Sequence, residues 1–421
     1  VRRAALPFIF VTLMLDVLGV GLIIPVAPKL IAQLDVGGET AHHAAMYGWL
    51  TATYALMLFL FAPLLGSLSD KVGRRPVILI ALLGTGLDYL AMAFAPNLTI
   101  LFITRALNGM SGASMAASMA YIADVTPPEK RAAGYGLVGA AFGVGFVLGP
   151  LLGGYLGSID LRLPFFVAGG LALTSWLYGY FVLPESLAPE NRRAFSWARA
   201  NPVGALLSIS RFPRALTLAI AMFFLQLAMF GLHSTWVLYT EHRYKWDEFG
   251  VGLSLAVVGL TSAIVQGGIA RKAVPRFGER ACLLFGVAIA VCAYLGYGLA
   301  TEGWMIYAII AVASIGSVAG PAGQSLISKS VEPNQQGELQ GSLSSMQSVA
   351  QVIAPLAATK IFALSLTGEG WIRHPGASFF WCAGLALIGL VLAVRGLRQQ
   401  GPGEQAGGEA GIGSATGSTK G

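Results

Sequence analysis

The chain has 421 residues, 55% hydrophobic and only 11% charged, with a mean hydropathy of +0.69. A soluble domain carries about 25% charged residues, so this composition excludes a soluble enzyme or binding module and describes an integral membrane protein. The formal net charge of +7 does not point to nucleic acid, because the basic residues sit in short segments between apolar runs rather than in a solvated patch.

Apolar windows near the roughly 20 residues that cross a bilayer as a helix predict twelve spans. In the first half they cover residues 5–28, 44–66, 76–95, 98–122, 132–156 and 163–183. In the second they cover 214–238, 249–269, 281–300, 303–328, 338–364 and 377–396. The runs are continuous rather than alternating, which excludes a β-barrel and predicts an all-α fold. The first run follows Arg2-Arg3 but contains Asp16 and continues to about Pro28, so it reads as a spanning helix and not a leader. The division is an N-terminal bundle over 1–183, a linker over 184–213, a C-terminal bundle over 214–396 and a tail over 397–421. The tail is rich in Gly, Ser, Ala and Glu and is expected to be disordered. Within the linker, Asn201-Pro202 is placed to cap a short helix ending near Phe212.

Twelve crossings put both termini on one side. Twenty of the 27 Lys and Arg residues fall on that side, six fall on the other, and Arg105 lies inside a span. The excess predicts cytoplasmic termini. Cys282, Cys292 and Cys382 all sit in apolar segments without metal-ligand spacing and are expected to pack as small hydrophobes. No zinc site, disulfide framework or nucleophile–base cluster is legible.

Three ionisable residues lie deep in the first half, namely Asp16, Asp88 and Arg105. A lone charge at mid-bilayer costs at least about 2.5–3.5 kcal/mol on insertion scales, so such groups face a cavity or the bundle interior and pair. They can form a structural ion pair or a site for substrate and proton. A carboxyl in an apolar setting can exchange a proton near neutral pH, and a cation moving beside it can expel that proton. In the second half, the seventh span carries Gln226 and His233. The eleventh carries Ser342, Ser344, Ser345, Gln347, Ser348 and Gln351, spread too widely for one stripe. Part of that set is expected to line a cavity and part to pack.

Between the second and third spans lies a charged island that includes Gly66, Asp70, Gly73, Arg74 and Arg75. It is expected to be a tight loop with Asp70 and Arg74 as a latch and Asp124 as a second partner for Arg74. An echo, Phe277-Gly278-Glu279-Arg280, follows the eighth span, as in parallel transporter repeats. In the fifth span Gly145, Gly149 and Gly153 recur every fourth residue, joined by Pro150 and Gly154. That spacing makes one glycine face for close helix approach, and Pro150 removes a backbone donor and is expected to bend the helix.

These strings resemble the major facilitator superfamily, within it the twelve-helix drug–proton antiporters, and most closely the tetracycline–proton exporters. Further matching strings are Leu15-Asp16 through Pro25, Leu87-Asp88-Tyr89, Tyr121-Ile122-Ala123-Asp124, Pro164-Phe165-Phe166 and Gln336 through Gly341. The resemblance covers nearly all of the chain except its tail. It implies that Asp16, Asp88 and Arg105 take part in transport, that Asp70, Arg74 and Asp124 form a cytoplasmic gate, and that Gly145–Gly154 is the antiporter motif. The chain departs from the enterobacterial-type exporters in having Ser262 and Ala290 where a His and an Asp are usual, Arg271 for a Gly, and Gly231-Leu232-His233 for a Gly-Gln-Pro-like string. No acid lies well inside a span of the second half, and His233 is the residue available to substitute. The expected function is proton-driven efflux of a tetracycline-like or related amphiphilic drug across the cytoplasmic membrane, by a monomer that uses no cofactor and admits drug as a Mg²⁺ chelate. The alternatives are export of another metabolite or lipid-like molecule, and a membrane sensor that keeps the fold without transporting.

Overall fold

A computed structural model describes residues 5–112, 114–126, 131–197, 201–332, 335–368 and 373–399. Every regular element among them is helical. The first predicted span is two helices, α1 (Ala5–Ile23) and α2 (Ala27–Leu34), bent by 49°. Then come α3 (Thr40–Val72), α4 (Arg74–Ala93), α5 (Leu98–Ser111), α6 (Ser114–Val125), α7 (Arg131–Ile159) and α8 (Leu163–Val182). After the linker helix α9 (Pro202–Leu207) the second half holds α10 (Pro213–Tyr244), α11 (Glu248–Ile264), α12 (Ala270–Leu299), α13 (Gly303–Ile315), α14 (Ala319–Ser328), α15 (Gln336–Thr367) and α16 (Ala377–Gln399).

Nine stretches among the described residues are long and apolar enough to cross a membrane, ten if α1 and α2 count as one bent crossing. One of the nine, Glu248–Leu299, has 52 residues. Straight, it would be about 78 Å long at 1.5 Å per residue, more than twice the roughly 30 Å hydrocarbon core. It is broken at Gly278, whose φ of 79° and ψ of 156° are not helical. The predicted fourth span is divided into α5 and α6, each too short to cross alone.

Several boundaries correct the sequence expectations. Hydropathy marks where the apolar run stops, but backbone hydrogen bonding carries the helices further. Thus α3 and α10 run several residues past their windows, and α16 reaches Gln399, inside the stretch expected to be tail; residues 400–421 lie outside the described residues. The island is not a loop. It is helical on both sides of the single residue Gly73, at φ 114° and ψ 160°. The helix α7 passes unbroken through Pro150. Cys282 and Cys382 are buried, whereas Cys292 is exposed, which corrects its expected packing. The linker helix is present, with Asn201 Oδ1 accepting from Gly204 N at 3.0 Å.

In the first half α1 packs on α7 and α8, α3 on α5, and α4 on α8; in the second, α10 packs on α15 and α16, and α12 on α14 and α16. The halves meet along α3 with α15 and α7 with α11. Contacts between them concentrate at the end away from the island, called here the far end; the island lies at the latch end. At the far end a Cβ on Gly48 of α3 would run into Thr359 of α15, and one on Gly154 of α7 into the Glu248 carbonyl of α11. Lys29 Nζ of α2 pairs there with Glu248 Oε1 at 2.8 Å. Toward the latch end, Gly139 and Gly143 of α7, Gly267 and Gly268 beyond α11, and Gly66, Gly337 and Gly341 of α3 and α15 would present a Cβ to open space. The facing helices therefore touch at the far end and diverge toward the latch end.

Candidate functional site

The ionisable residues of the first half gather between α1, α4 and α5. Asp88 is buried, and its Oδ2 accepts from Asn108 Nδ2 at 2.7 Å. Its second oxygen, Oδ1, is buried without a hydrogen-bond partner, as is Arg105 Nε. The Arg105 guanidinium lies over the Tyr54 ring of α3, 5.3 Å from its centroid, where the ring face favours a cation. Asp88 and Arg105 are near enough for their charges to act on each other. Tyr54 and Tyr89 feel Asp16, Asp88 and Arg105 together. Asp16 is half-buried on α1, one turn before Gly19, whose missing side chain leaves room for the Tyr89 ring.

This is one polar group of two carboxylates, a guanidinium, an amide and two phenols, set in helices otherwise apolar. Asn108 follows Arg105 by three residues and so shares its helix face. That spacing was the signal available for Asn108; Tyr54 gave none, since aromatic residues are common in apolar helices. A buried polar atom without a partner costs about 1–3 kcal/mol, and here two such atoms, of opposite charge type, lie in one cluster. The arrangement can hold a proton on a carboxyl and exchange it when the guanidinium or a cationic guest moves.

The glycine-rich face of α7 has two partners. A Cβ on Gly145, Gly149 or Gly153 would strike backbone of α1 at Met14, Leu18 and Leu22 respectively. On the other side Gly154 meets Glu248, and Gly252 of α11 meets the Pro150 carbonyl. One helix thus carries the acid-bearing α1 and the inter-half contact with α11 at once, each through residues too small to hold them apart.

At the latch end Arg74 Nη1 pairs with Asp70 Oδ1 at 2.6 Å and Arg74 Nε with Asp124 Oδ2 at 3.2 Å. Sequence reasoning placed Asp124 beside Arg74 but missed the anchor, Glu185. The Glu185 carboxylate accepts from Arg74 N at 2.8 Å and Arg75 N at 3.3 Å, where the exposed amides and dipole of a helix N-terminus favour an anion. Ser186 Oγ donates to Asp124 Oδ2 at 3.1 Å, and Arg75 Nη2 to the Tyr180 carbonyl at 2.7 Å. Glu185 is 111 residues from Arg74, with no local pattern to join them. Gly66 itself meets nothing within 4 Å. The partners named here belong to the first half and the linker, whose Arg193 N donates to the Asp70 carbonyl at 3.0 Å.

The second half repeats this latch with its charges exchanged. Gly278 has positive φ, as Gly73 does. Glu279, in the place of Arg74, pairs with Lys329 at 2.7 Å, and Lys329 stands where Asp124 does. The same 205-residue step separates Gly73 from Gly278 and Asp124 from Lys329. Applied to Asp16, Asp88 and Arg105, it falls on Ala221, Ala293 and Ile310, all buried. The latch is duplicated and the charged cluster is not.

Two second-half candidates lie apart from that cluster. His233 is exposed, with its ring centroid 6.5 Å from Phe146 of α7 and 6.4 Å from Phe230. Gln226 lines a different cavity between α10, α14 and α15, together with Ser344 and Gln347. Ser342 instead packs, its Oγ 2.6 Å from Ser208 Oγ of the linker.

Comparison with known proteins bears on the whole chain. The profile of the Major Facilitator Superfamily matches residues 9–355 and 274–417. The class C tetracycline resistance protein of Escherichia coli is 40% identical over 375 residues, covering 87% of this chain and 93% of that one. The class G protein of Vibrio anguillarum is 38% identical over 368 residues, covering 87% and 92%. Among solved structures, the human organic anion transporter MFSD10 superposes with a TM-score of 0.71 at 26% identity, covering 93% of this chain and 99% of that one.

Proposed function

Because the chain belongs to the major facilitator superfamily, and within it to the group of tetracycline resistance proteins, we propose that it exports a tetracycline-like amphiphilic drug in exchange for a proton by alternating access. The observation that carries this reading is the cluster around Asp88, with an unpartnered carboxylate oxygen and an unpartnered guanidinium nitrogen buried among apolar helices. Intramembrane charges are costly and mark ion and substrate paths. In this reading Asp88 takes the proton, Arg105 and the incoming drug compete for the carboxylate, and Asp16 sets the field of the cavity. A Mg²⁺ chelate of the drug, carrying net positive charge, would displace the proton as it binds.

The membrane is the bacterial inner membrane, with the latch end and both termini in the cytoplasm. The described conformation is then inward-facing, with the far end closed by Gly48 against Thr359, Gly154 against Glu248, and the Lys29–Glu248 pair. Release outward requires those contacts to part while α3 and α15 close at the latch end. A monomer suffices, since the cluster lies within one chain. No nucleic-acid role enters. The polar latch residues act on the equilibrium between the two states and not on the drug.

A second reading, export of an organic anion or another amphiphile, draws on the likeness to MFSD10 and on the absence of a second-half acid at Ser262 and Ala290. One assay separates the two. Inside-out vesicles holding an acid interior are given Mg²⁺–tetracycline, and proton release is followed. Release supports drug–proton exchange. Release with other amphiphiles but not with tetracycline supports the second reading, and no release with any compound removes the proton from the mechanism.

A further inference from the structure

The linker carries features that neither the charged cluster nor the latch uses. It is held at two places. Ser196 N donates to Ser67 Oγ of α3 at 3.3 Å, close to the Asp70 carbonyl that Arg193 N holds. Further on, Arg211 Nη1 pairs with Glu338 Oε1 of α15 at 2.9 Å, one turn from the contact of Ser208 with Ser342. Ser67 and Glu338 stand at the latch-end limits of the apolar windows 44–66 and 338–364. The helix α9, between these anchors, therefore lies at the level of the membrane surface. With six residues it is about 9 Å long, far too short to cross.

One side of α9 is accounted for, because Leu206 and, just beyond the helix, Ile209 pack into the core of the second half. The other side carries Val203 and Leu207, four residues apart on one face and both exposed. Trp197 is exposed as well, its ring edge-to-face with Phe195 and the centroids 5.0 Å apart. At a membrane surface such side chains meet the boundary between headgroups and acyl chains. The charge beside them is positive. Lys71, Arg192 and Arg193 are exposed, and the Arg193 contact with Asp70 brings the two arginines to the end of α3 that bears Lys71. Asp70 and Asp124 hold Arg74, and Glu185 holds amides of α4, which leaves Glu190 as the other carboxylate of the linker. No ion pair among the described residues takes Lys71, Arg192 or Arg193.

We propose that the linker is a docking surface for anionic phospholipid of the cytoplasmic leaflet. Lys71, Arg192 and Arg193 take the headgroup phosphates, while Trp197, Val203 and Leu207 seat at the acyl boundary. Three cations against Glu190 complement an anionic leaflet, and the apolar stripe beside them complements its chains. The proposal rests on the reading that the latch end is cytoplasmic. Because the linker grips α3 at one place and α15 at the other, lipid held there acts on both halves where they diverge.

The test uses the full chain in phosphatidylcholine proteoliposomes containing a minor share of dibrominated phosphatidylglycerol or, separately, of dibrominated phosphatidylcholine. Bromine quenches tryptophan at short range, and the difference in emission between wild type and Trp197→Phe isolates Trp197 from the rest of the eight tryptophans. The brominated phosphatidylglycerol is expected to quench Trp197 at an about tenfold lower share of the lipid than the brominated phosphatidylcholine. Joint Arg192→Gln and Arg193→Gln, which leaves the Arg193 amide in place, should remove that preference, and joint Arg192→Lys and Arg193→Lys should keep it. Equal quenching by the two lipids, or a preference that the glutamine pair leaves intact, overturns the docking surface. Absence of quenching by either lipid overturns it too, because Trp197 then faces water or protein. Sidedness is read separately, with a membrane-impermeant maleimide on Glu190→Cys in an otherwise cysteine-free chain in intact spheroplasts. Labelling there overturns the cytoplasmic placement and the docking together, whereas lost lipid preference with a protected Glu190→Cys overturns the docking alone.

Discussion

Glu248 is where the two halves are tied at the far end, and removing its charge should open that end. The pair with Lys29 spans 2.8 Å, with the lysine 29% and the glutamate 12% exposed. That burial lies between surface pairs, worth about 0–1 kcal/mol, and fully buried pairs, whose disruption costs about 3–5 kcal/mol. A loss of about 1–2 kcal/mol is the expectation, which shifts a two-state equilibrium by roughly 5–30-fold. Glu248→Gln keeps the side-chain shape and the backbone carbonyl beside Gly154, so the change is confined to charge. Spin labels at Val36→Cys and Glu302→Cys, in an otherwise cysteine-free chain, report the separation of the halves at the far end by pulsed EPR. The ratio of long to short distances should rise by about 5–30-fold in Glu248→Gln, and in the same direction in Lys29→Met. An unchanged ratio in both variants refutes the assignment of this pair to far-end closure.

Other substitutions probe the remaining contacts. Gly73→Ala puts a side chain at φ 114° and drives its Cβ against Glu185, so thermal unfolding in detergent should show a loss of about 1–3 kcal/mol. Gly154→Val forces α7 from the Glu248 carbonyl; the same spin-label pair should separate, and drug export should fall. The Glu279–Lys329 pair, with Lys329 68% exposed, is screened and worth about 0.2–1 kcal/mol. Glu279→Lys should therefore lower the melting temperature slightly, and adding Lys329→Glu should restore it if the copied latch tolerates exchanged signs.

The spans were legible because a bilayer demands long apolar runs, and Asp16, Asp88 and Arg105 were legible because charge inside such a run is rare. What lay beyond reach were features without a hydropathy signature. The break between α5 and α6, the bend after Ile23 and the kink at Gly278 interrupt backbone geometry inside runs that remain apolar. Asn108 and Tyr54 are ordinary residues for a helix and take on meaning only beside Asp88 and Arg105. Glu185 lies in the linker just past α8 and Glu248 opens α11, and their partners lie far away in the chain. The glycines at 145, 149 and 153 announced a close approach, but not that α1 would be the helix approaching, nor that Gly154 would face the other half.

The measurement that tests the central claim most directly is drug-driven proton movement through the Asp88 carboxyl. Wild type and Asp88→Asn are reconstituted in matched proteoliposomes with an acid interior, and Mg²⁺–tetracycline is added outside. The account predicts prompt proton release from the wild type and none from Asp88→Asn, with both proteins showing the same melting profile. Full release from Asp88→Asn would contradict it, because the proton would then travel by a route that does not use this carboxylate.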